Sequence, residues 1–293
     1  MVTIAVLLLA AGVAGVLAFA ALRRSPLIEA PDPAKRAAER LHVSRWRRFL
    51  DGRADPRAAT GLALTLAVVV VIVAAGALTA LVGMVRSNAG LVTYDRGVAV
   101  WGARESTATA AMILRAFTWV GSTIGVVAVA IVVAVLAFRR LRRISVVPYL
   151  VLVVGGQDLV ANLIKLAVNR ARPTVAQLVV PTGSSFPSGH TTAAAACYAA
   201  FALVLGIGRG PRVRALLFAG AVAIAVAVGC SRVFLGVHWL TDVLGGLALG
   251  WGWFALISIV FGGRLLEFGE PRAREARRVD ASDVPAHRSA STA

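Results

Sequence analysis

Six stretches of the chain, 4–22, 58–85, 116–138, 191–208, 215–231 and 243–263, run without one charged residue. About 20 such residues are what a helix needs to cross ~30 Å of hydrocarbon. A seventh stretch, 144–164, is broken only by Asp158. The expected fold is therefore all-α, a polytopic membrane helix bundle with seven spans, in keeping with 58% hydrophobic and 15% charged residues. The first run lacks a basic flank before it, and Arg23 and Arg24 follow directly, so an uncleaved anchor is expected and not a signal peptide.

Net charge is +17, which in a soluble protein would point to nucleic acid, but its distribution points elsewhere. Of the 31 Lys and Arg residues, 23 lie in 23–57, 139–143, 209–214 and from 264 onward, all on one side if the spans alternate. That side reads as cytoplasmic, with the N-terminus outside and the C-terminus inside. No nucleic-acid partner is expected, and the partner that the composition demands is the bilayer. Eight cations remain on the other face, and four of them, Lys165, Arg170, Arg172 and Arg232, gather around the polar interruptions of the apolar pattern. Cys197 and Cys230 lie within apolar runs and read as small core residues.

The expected organisation is an N-terminal transmembrane helix at 1–22, a basic cytoplasmic linker at 23–57, a membrane core at 58–263 and a disordered cytoplasmic tail at 264–293. A surface helix around 34–50 could meet the lipid interface through Trp46 and Phe49, although a solvated linker explains the same residues. The mixed segment 86–115 belongs on the external side, as a lid or ledge.

Polar groups at membrane depth are costly, so three clusters call for a reason. In "KLAVNRARP", 165–173, Lys165 ends a helix and Pro173 biases Arg172 away from helical geometry, which brings two cations toward one point. In "PSGH", 187–190, Ser188 can cap the following helix. Gly189 admits a ligand close to the backbone, and the first-turn N–H groups make an anion site beside His190. In "SRVFLGVHWLTD", 231–242, His238 and Asp242 are four apart and expected on one helix face. The carboxylate would then fix the ring tautomer and leave the other nitrogen free to attack, with Arg232 as a fork for phosphate oxygens. Snorkelling cations, an ordinary helix start and an interfacial polar network would explain the clusters one at a time. Alternating spans place all three on the external face together. His42 and His287 fall in the linker and the tail, where solvated roles are expected.

Taken in order, K-x6-R-P from Lys165, P-S-G-H from Pro187 and S-R-x5-H-x3-D from Ser231 resemble the signature of the type 2 phosphatidic acid phosphatases. The resemblance covers about 58–263 and implies a six-helix phosphatase core, to which the N-terminal helix and linker are additions. It implies metal-independent hydrolysis of a lipid phosphate or prenyl diphosphate through a phosphohistidine, with no cofactor. By position His238 resembles the nucleophile, Asp242 its orienting carboxylate and His190 the general acid. Lys165, Arg172, Ser188, Gly189 and Arg232 resemble the phosphate cradle.

Phosphatidate, undecaprenyl diphosphate and related lipids offer similar anions, and the sequence does not choose among them. Transfer to an acceptor other than water stays open. The vanadium haloperoxidases, which resemble the same motifs, are typically soluble, and seven spans argue against them. A lipid-headgroup transporter would place paired broken helices near the midplane, whereas these clusters sit at helix ends. Asp158, Asn162, Lys165 and Asn169 are spaced as one helical stripe, so Asp158 is expected to support Lys165 through Asn162, or else to pair with Arg115.

Overall fold

The computed structural model describes residues 2–24, 56–105, 107–142, 144–175 and 183–265. The anticipated helix at 34–50, the tail beyond 265, His42 and His287 lie outside them. Among the described residues there is no strand, and the helices are α1 (Val2–Arg24), α2 (Pro56–Ser87), α3 (Val92–Glu105), α4 (Ala108–Val120), α5 (Thr123–Leu141), α6 (Val146–Val168), α7 (Gly189–Gly206), α8 (Pro211–Phe234) and α9 (Leu240–Leu265). Among the described residues six segments are long and apolar enough to cross a membrane: Leu64–Ser87, Thr123–Leu141, Val146–Val168, Gly189–Gly206, Pro211–Phe234 and Leu240–Phe261. The seventh expected span falls in α1, whose apolar segment among the described residues is shorter, Ile4–Ala20.

The expected span at 116–138 is two helices. Gly121 caps α4, and Ser122 starts α5 by accepting the Gly125 N–H at 3.1 Å. A Cβ at Gly121 would lie 2.6 Å from Val228 Cγ1 and 2.9 Å from the His190 carbonyl, so the break lets this turn lie against α7 and α8. Arg115 and Thr118 consequently belong to a separate helix, α4, and not to the start of a span.

At the centre is α7. Every residue from Ala193 to Ala202 is buried, and a helix apolar all round is one surrounded by others, here α5, α6, α8 and α9. In lipid, close approach has to come from small side chains. A Cβ at Gly250 of α9 would fall 2.6 Å from the Thr192 carbonyl and 2.6 Å from Ala195 Cβ, and one at Gly246 would fall 2.8 Å from the Ser188 carbonyl. Glycine at these two positions sets the α7–α9 spacing, and hence the spacing of the two helix starts that carry Gly189 and Asp242.

On the other flank α1 lies along α8. Its Leu7, 1% exposed, shares an apolar cluster with Leu114, Phe234, Leu235, Val237 and Val243. The turn between α8 and α9 is thus seated on packed side chains, which the residue after Val237 needs if it is to be held in one place.

Chain direction alternates through α5 to α9, so the end of α6, the start of α7, the end of α8 and the start of α9 share one end of the bundle. The α3–α4 arm is at that same end, where Asp95 bonds Thr241 and Thr118 bonds Arg232.

Candidate active site

The first cluster is built where α6 stops. Asn169 takes a left-handed conformation, φ 46°, and returns its N–H to the Lys165 carbonyl at 2.9 Å. The chain then turns across the bundle end with Arg170 and Arg172 on it. Arg172 donates from Nε to the Gly183 carbonyl at 2.9 Å, from Nη1 to the Val237 carbonyl at 2.8 Å and from Nη2 to the Ser184 carbonyl at 3.3 Å. Its Nη1 also lies 3.2 Å from His238 Nε2. Burial lowers the guanidinium pKa from its ordinary value, opposed by the charge of Asp242.

The second cluster opens α7. Ser188 occupies the N-cap position, but its side chain makes no cap bond, contrary to the expected cap. Its Oγ instead accepts from Thr191 Oγ1 at 2.9 Å, while its carbonyl takes the Thr192 N–H at 2.9 Å. The reason is burial: Ser188 is fully enclosed, with its own N–H tied to the Asp242 carbonyl at 3.0 Å. The first-turn N–H groups that a serine cap would occupy are left to face the site, with the positive end of the helix dipole behind them. A Cβ at Gly189 would sit 3.3 Å from Lys165 Nζ, so the ammonium lies directly over this turn. His190 is half-buried, in the fields of Arg232, His238, Lys165 and Arg172.

The third cluster departs from the expected helix face. His238 lies in the turn before α9, and Asp242 in its first turn, so a bend and not a helical repeat brings them together. His238 Nδ1 is 3.4 Å from Asp242 Oδ2, longer than an ordinary hydrogen bond, and Nδ1 has no other bonded partner. Asp242 Oδ2 instead accepts the Trp239 N–H at 2.9 Å, the reach-back of a capping box. Burial pushes the His238 pKa down to about 4, the Asp242 carboxylate pulling the other way and Arg232 and Arg172 adding to the fall. Arg232, 7% exposed, bonds Thr118 Oγ1 at 2.9 Å through Nη1, and its Nε is buried without a partner.

Lys165, Arg172, Ser188, Gly189, His190, Arg232, His238 and Asp242 are thereby gathered at one bundle end. Of the polar stripe on α6, only Lys165 is among them. Asn162 Nδ2 donates to Asp158 Oδ2 at 3.3 Å, but the pair is exposed, and neither bonds Lys165 nor any other described cation. Asp158 and Lys165, seven residues apart, lie on one face of α6, and the Asp158 charge acts on the Lys165 ammonium through space and not through a bond.

Two further charged residues, Arg170 and Asp95, join this constellation. Arg170 donates to Asp242 Oδ1 at 2.6 Å and to Asp95 Oδ2 at 2.7 Å. Asp95, 2% exposed, arrives from α3. Arg170 was visible as one of the four grouped cations, whereas Asp95 stands 75 residues before it with no spacing to mark it.

Chemically, the arrangement offers several cations and free amides about one nitrogen nucleophile, with a second imidazole nearby. Among the described residues no three His, Cys, Asp or Glu side chains are grouped as a metal site.

The PAP2 superfamily model matches residues 146–265. Phosphatidylglycerophosphatase B of Bacillus subtilis (strain 168) is 41% identical over 111 residues, covering 37% of this chain and 55% of the relative. Lipid A 1-phosphatase of Rhizobium etli is 38% identical over 122 residues, 38% of this chain and 48% of the relative. Undecaprenyl-diphosphatase of Sulfolobus acidocaldarius is 32% identical over 128 residues, 42% of this chain and 58% of the relative. The chain thus spans about half the length of the curated relatives it matches. The crystal structure of a transmembrane PAP2 type phosphatidylglycerolphosphate phosphatase from Bacillus subtilis superposes with a TM-score of 0.58 at 25% identity, covering 65% of this chain and 96% of that one. Six apolar helices and this neighbour together mark a multi-pass membrane protein.

Proposed function

The chain carries a PAP2 superfamily domain over residues 146–265, and from that premise we propose that it is an integral membrane phosphatase. It hydrolyses a lipid phosphate or prenyl diphosphate at the external membrane face through a phosphohistidine, the C-terminus being cytoplasmic. The observation that carries this reading is the 3.2 Å approach of Arg172 Nη1 to His238 Nε2. A guanidinium only donates, so Nε2 holds the lone pair and the ring proton is on Nδ1, facing Asp242. The nitrogen able to attack phosphorus therefore adjoins a cation able to hold its oxygens.

In the first step Nε2 bonds phosphorus as the bond to the leaving oxygen breaks, and His190 gives that oxygen a proton. Lys165, Arg172, Arg232, the Ser188 hydroxyl and the Gly189 amide hold the equatorial oxygens, where positive groups do most of the catalytic work. Water then attacks the phosphohistidine, His190 takes a proton from it, and inorganic phosphate departs with Nε2 again free. Asp242 steadies the ring that gains positive character while phosphorylated.

The three named relatives hydrolyse different lipid anions, which supports the substrate class and leaves the tail open. The test is phosphate release from purified phosphatidylglycerol phosphate, phosphatidate, lipid A and undecaprenyl diphosphate in detergent, with and without a chelator. Release from at least one lipid, unchanged by chelation, is expected. No release from any, or release that a chelator stops and a divalent ion restores, overturns the proposal.

A further inference from the structure

We infer that Asp95, which lies outside the residues 146–265 matched by the superfamily model, is a positioning residue for the His238–Asp242 pair. This deepens the function proposed above and rests on it for the chemistry. Helix α9 begins at Leu240, so Trp239 holds its N-cap position, and a tryptophan has no oxygen with which to cap. Asp95 does so from α3. Its Oδ1 accepts the Thr241 N–H at 2.9 Å, and its Oδ2 takes the Thr241 hydroxyl. The same Oδ2 accepts from Arg170 Nη2 at 2.7 Å.

Arg170 carries this hold to Asp242. Its Nη1 donates to Asp242 Oδ1 at 2.6 Å and to Thr241 Oγ1 at 2.7 Å, with the guanidinium carbon 5.6 Å from the Trp239 ring centre. Both oxygens of Asp242 are then fixed, one by Arg170 and the other by the Trp239 N–H at 2.9 Å. That second oxygen is the one 3.4 Å from His238 Nδ1. The carboxylate is thus aimed at the ring by a chain that starts at Asp95.

The three charged side chains are 3%, 10% and 0% exposed for Asp95, Arg170 and Asp242. At such burial, removing one partner leaves the others unbalanced. With Asp95 present the cluster carries two carboxylates and one guanidinium, and its spare negative charge falls beside the ring that must become positive. With asparagine in its place the bonds to Thr241 can persist in shape, but that spare charge is gone and Arg170 is drawn wholly to Asp242.

The experiment compares full-length wild type with Asp95→Asn in detergent. It reads thermal melting, kcat and KM on the lipid phosphate that the wild type hydrolyses best, and the ring 15N resonances of His238 at one fixed pH, assigned with His238→Gln. Expected are a melting curve of one transition, kcat down about 10–100-fold with KM within about threefold, and displaced His238 Nδ1 and Nε2 resonances. Should Asp95→Asn not accumulate in folded form, Asp95→Glu keeps the charge on a longer arm and is read in the same way, with a smaller fall in kcat. Unaltered His238 resonances in a folded variant overturn the inference, as does a loss of activity matched by an equal loss of folded protein. The resonances are read without substrate, so they decide this inference even if the wild type hydrolyses no lipid phosphate, an outcome that counts against the proposed function alone.

Discussion

Arg172 Nη1 and His238 Nε2 stand 3.2 Å apart, with the same guanidinium tied to the carbonyls of Gly183, Ser184 and Val237. One side chain fastens the loop before α7 to the turn before α9 and points at the nitrogen between them. Arg172→Lys keeps the charge but not the fork, so a single ammonium cannot replace these bonds. A fall in kcat/KM on the order of 10²–10³ is expected, together with faster hydrogen exchange at Gly183 to Ser185. Near wild-type kinetics in the lysine variant would show that charge alone suffices.

The two imidazoles should separate by leaving group. On the proposed mechanism His238 forms the bond to phosphorus, so His238→Ala should abolish hydrolysis of every substrate. His190→Ala should lose on the order of 10²–10⁴ on an alkyl phosphate and noticeably less on a nitrophenyl phosphate, whose leaving oxygen needs no proton. Rates of both variants on the two substrates check this, and equal losses for His190→Ala on each would make it a binding residue.

Much of this end of the molecule was legible in the sequence. The helices follow from charge-free runs, and the polar clusters stand out because such runs have no other reason to stop. What escaped notice depends on contacts distant in the chain. Asp95 has meaning only because α3 folds back over the start of α9, and nothing in its neighbours marks that. Gly121 and Ser122 break 116–138 to relieve a clash with Val228 and His190, which no local pattern records. Spacing by four rightly joined His238 to Asp242, but a helical repeat was the wrong cause, since a turn at Gly236, φ 70°, puts the histidine ahead of the helix. Ser188 has the residue type of a cap, and its burial against α9 turns the hydroxyl to other use.

His238 is buried, and its pKa is lowered to about 4, below the ordinary 6.5 of a histidine. The proposed mechanism uses the neutral ring as nucleophile, so protonation should disable it only near pH 4. Histidine NMR of the resting protein should show this ring still neutral at pH 5.5, where an ordinary histidine is mostly charged. The linked effect on stability has a definite sign. Unfolding lets the ring take up a proton at any pH between the two values, so His238 costs no stability above about 6.5 and destabilises the fold progressively as pH falls from there toward 4. Titration near 6.5 in the folded protein would contradict the burial argument.

Helix spacing should be felt through glycine. Gly250→Val puts a side chain where Thr192 O and Ala195 Cβ leave 2.6 Å, and overpacking of this kind costs about 1–3 kcal/mol. Gly155→Val on α6 meets nothing within 4 Å and serves as the matched control. Melting in detergent should fall for the first relative to the second, and equal shifts would mean that the α7–α9 contact is looser than its geometry.

The most direct measurement is acid-free quenching of the enzyme within its first turnover on a 32P-labelled lipid phosphate, followed by digestion and mapping of the label. A phosphoryl group that survives alkali, is released by acid and maps to the peptide containing His238 is predicted, absent from His238→Ala and longer-lived in His190→Ala. Turnover at full rate with no label on the protein, or label on any other residue, would contradict it.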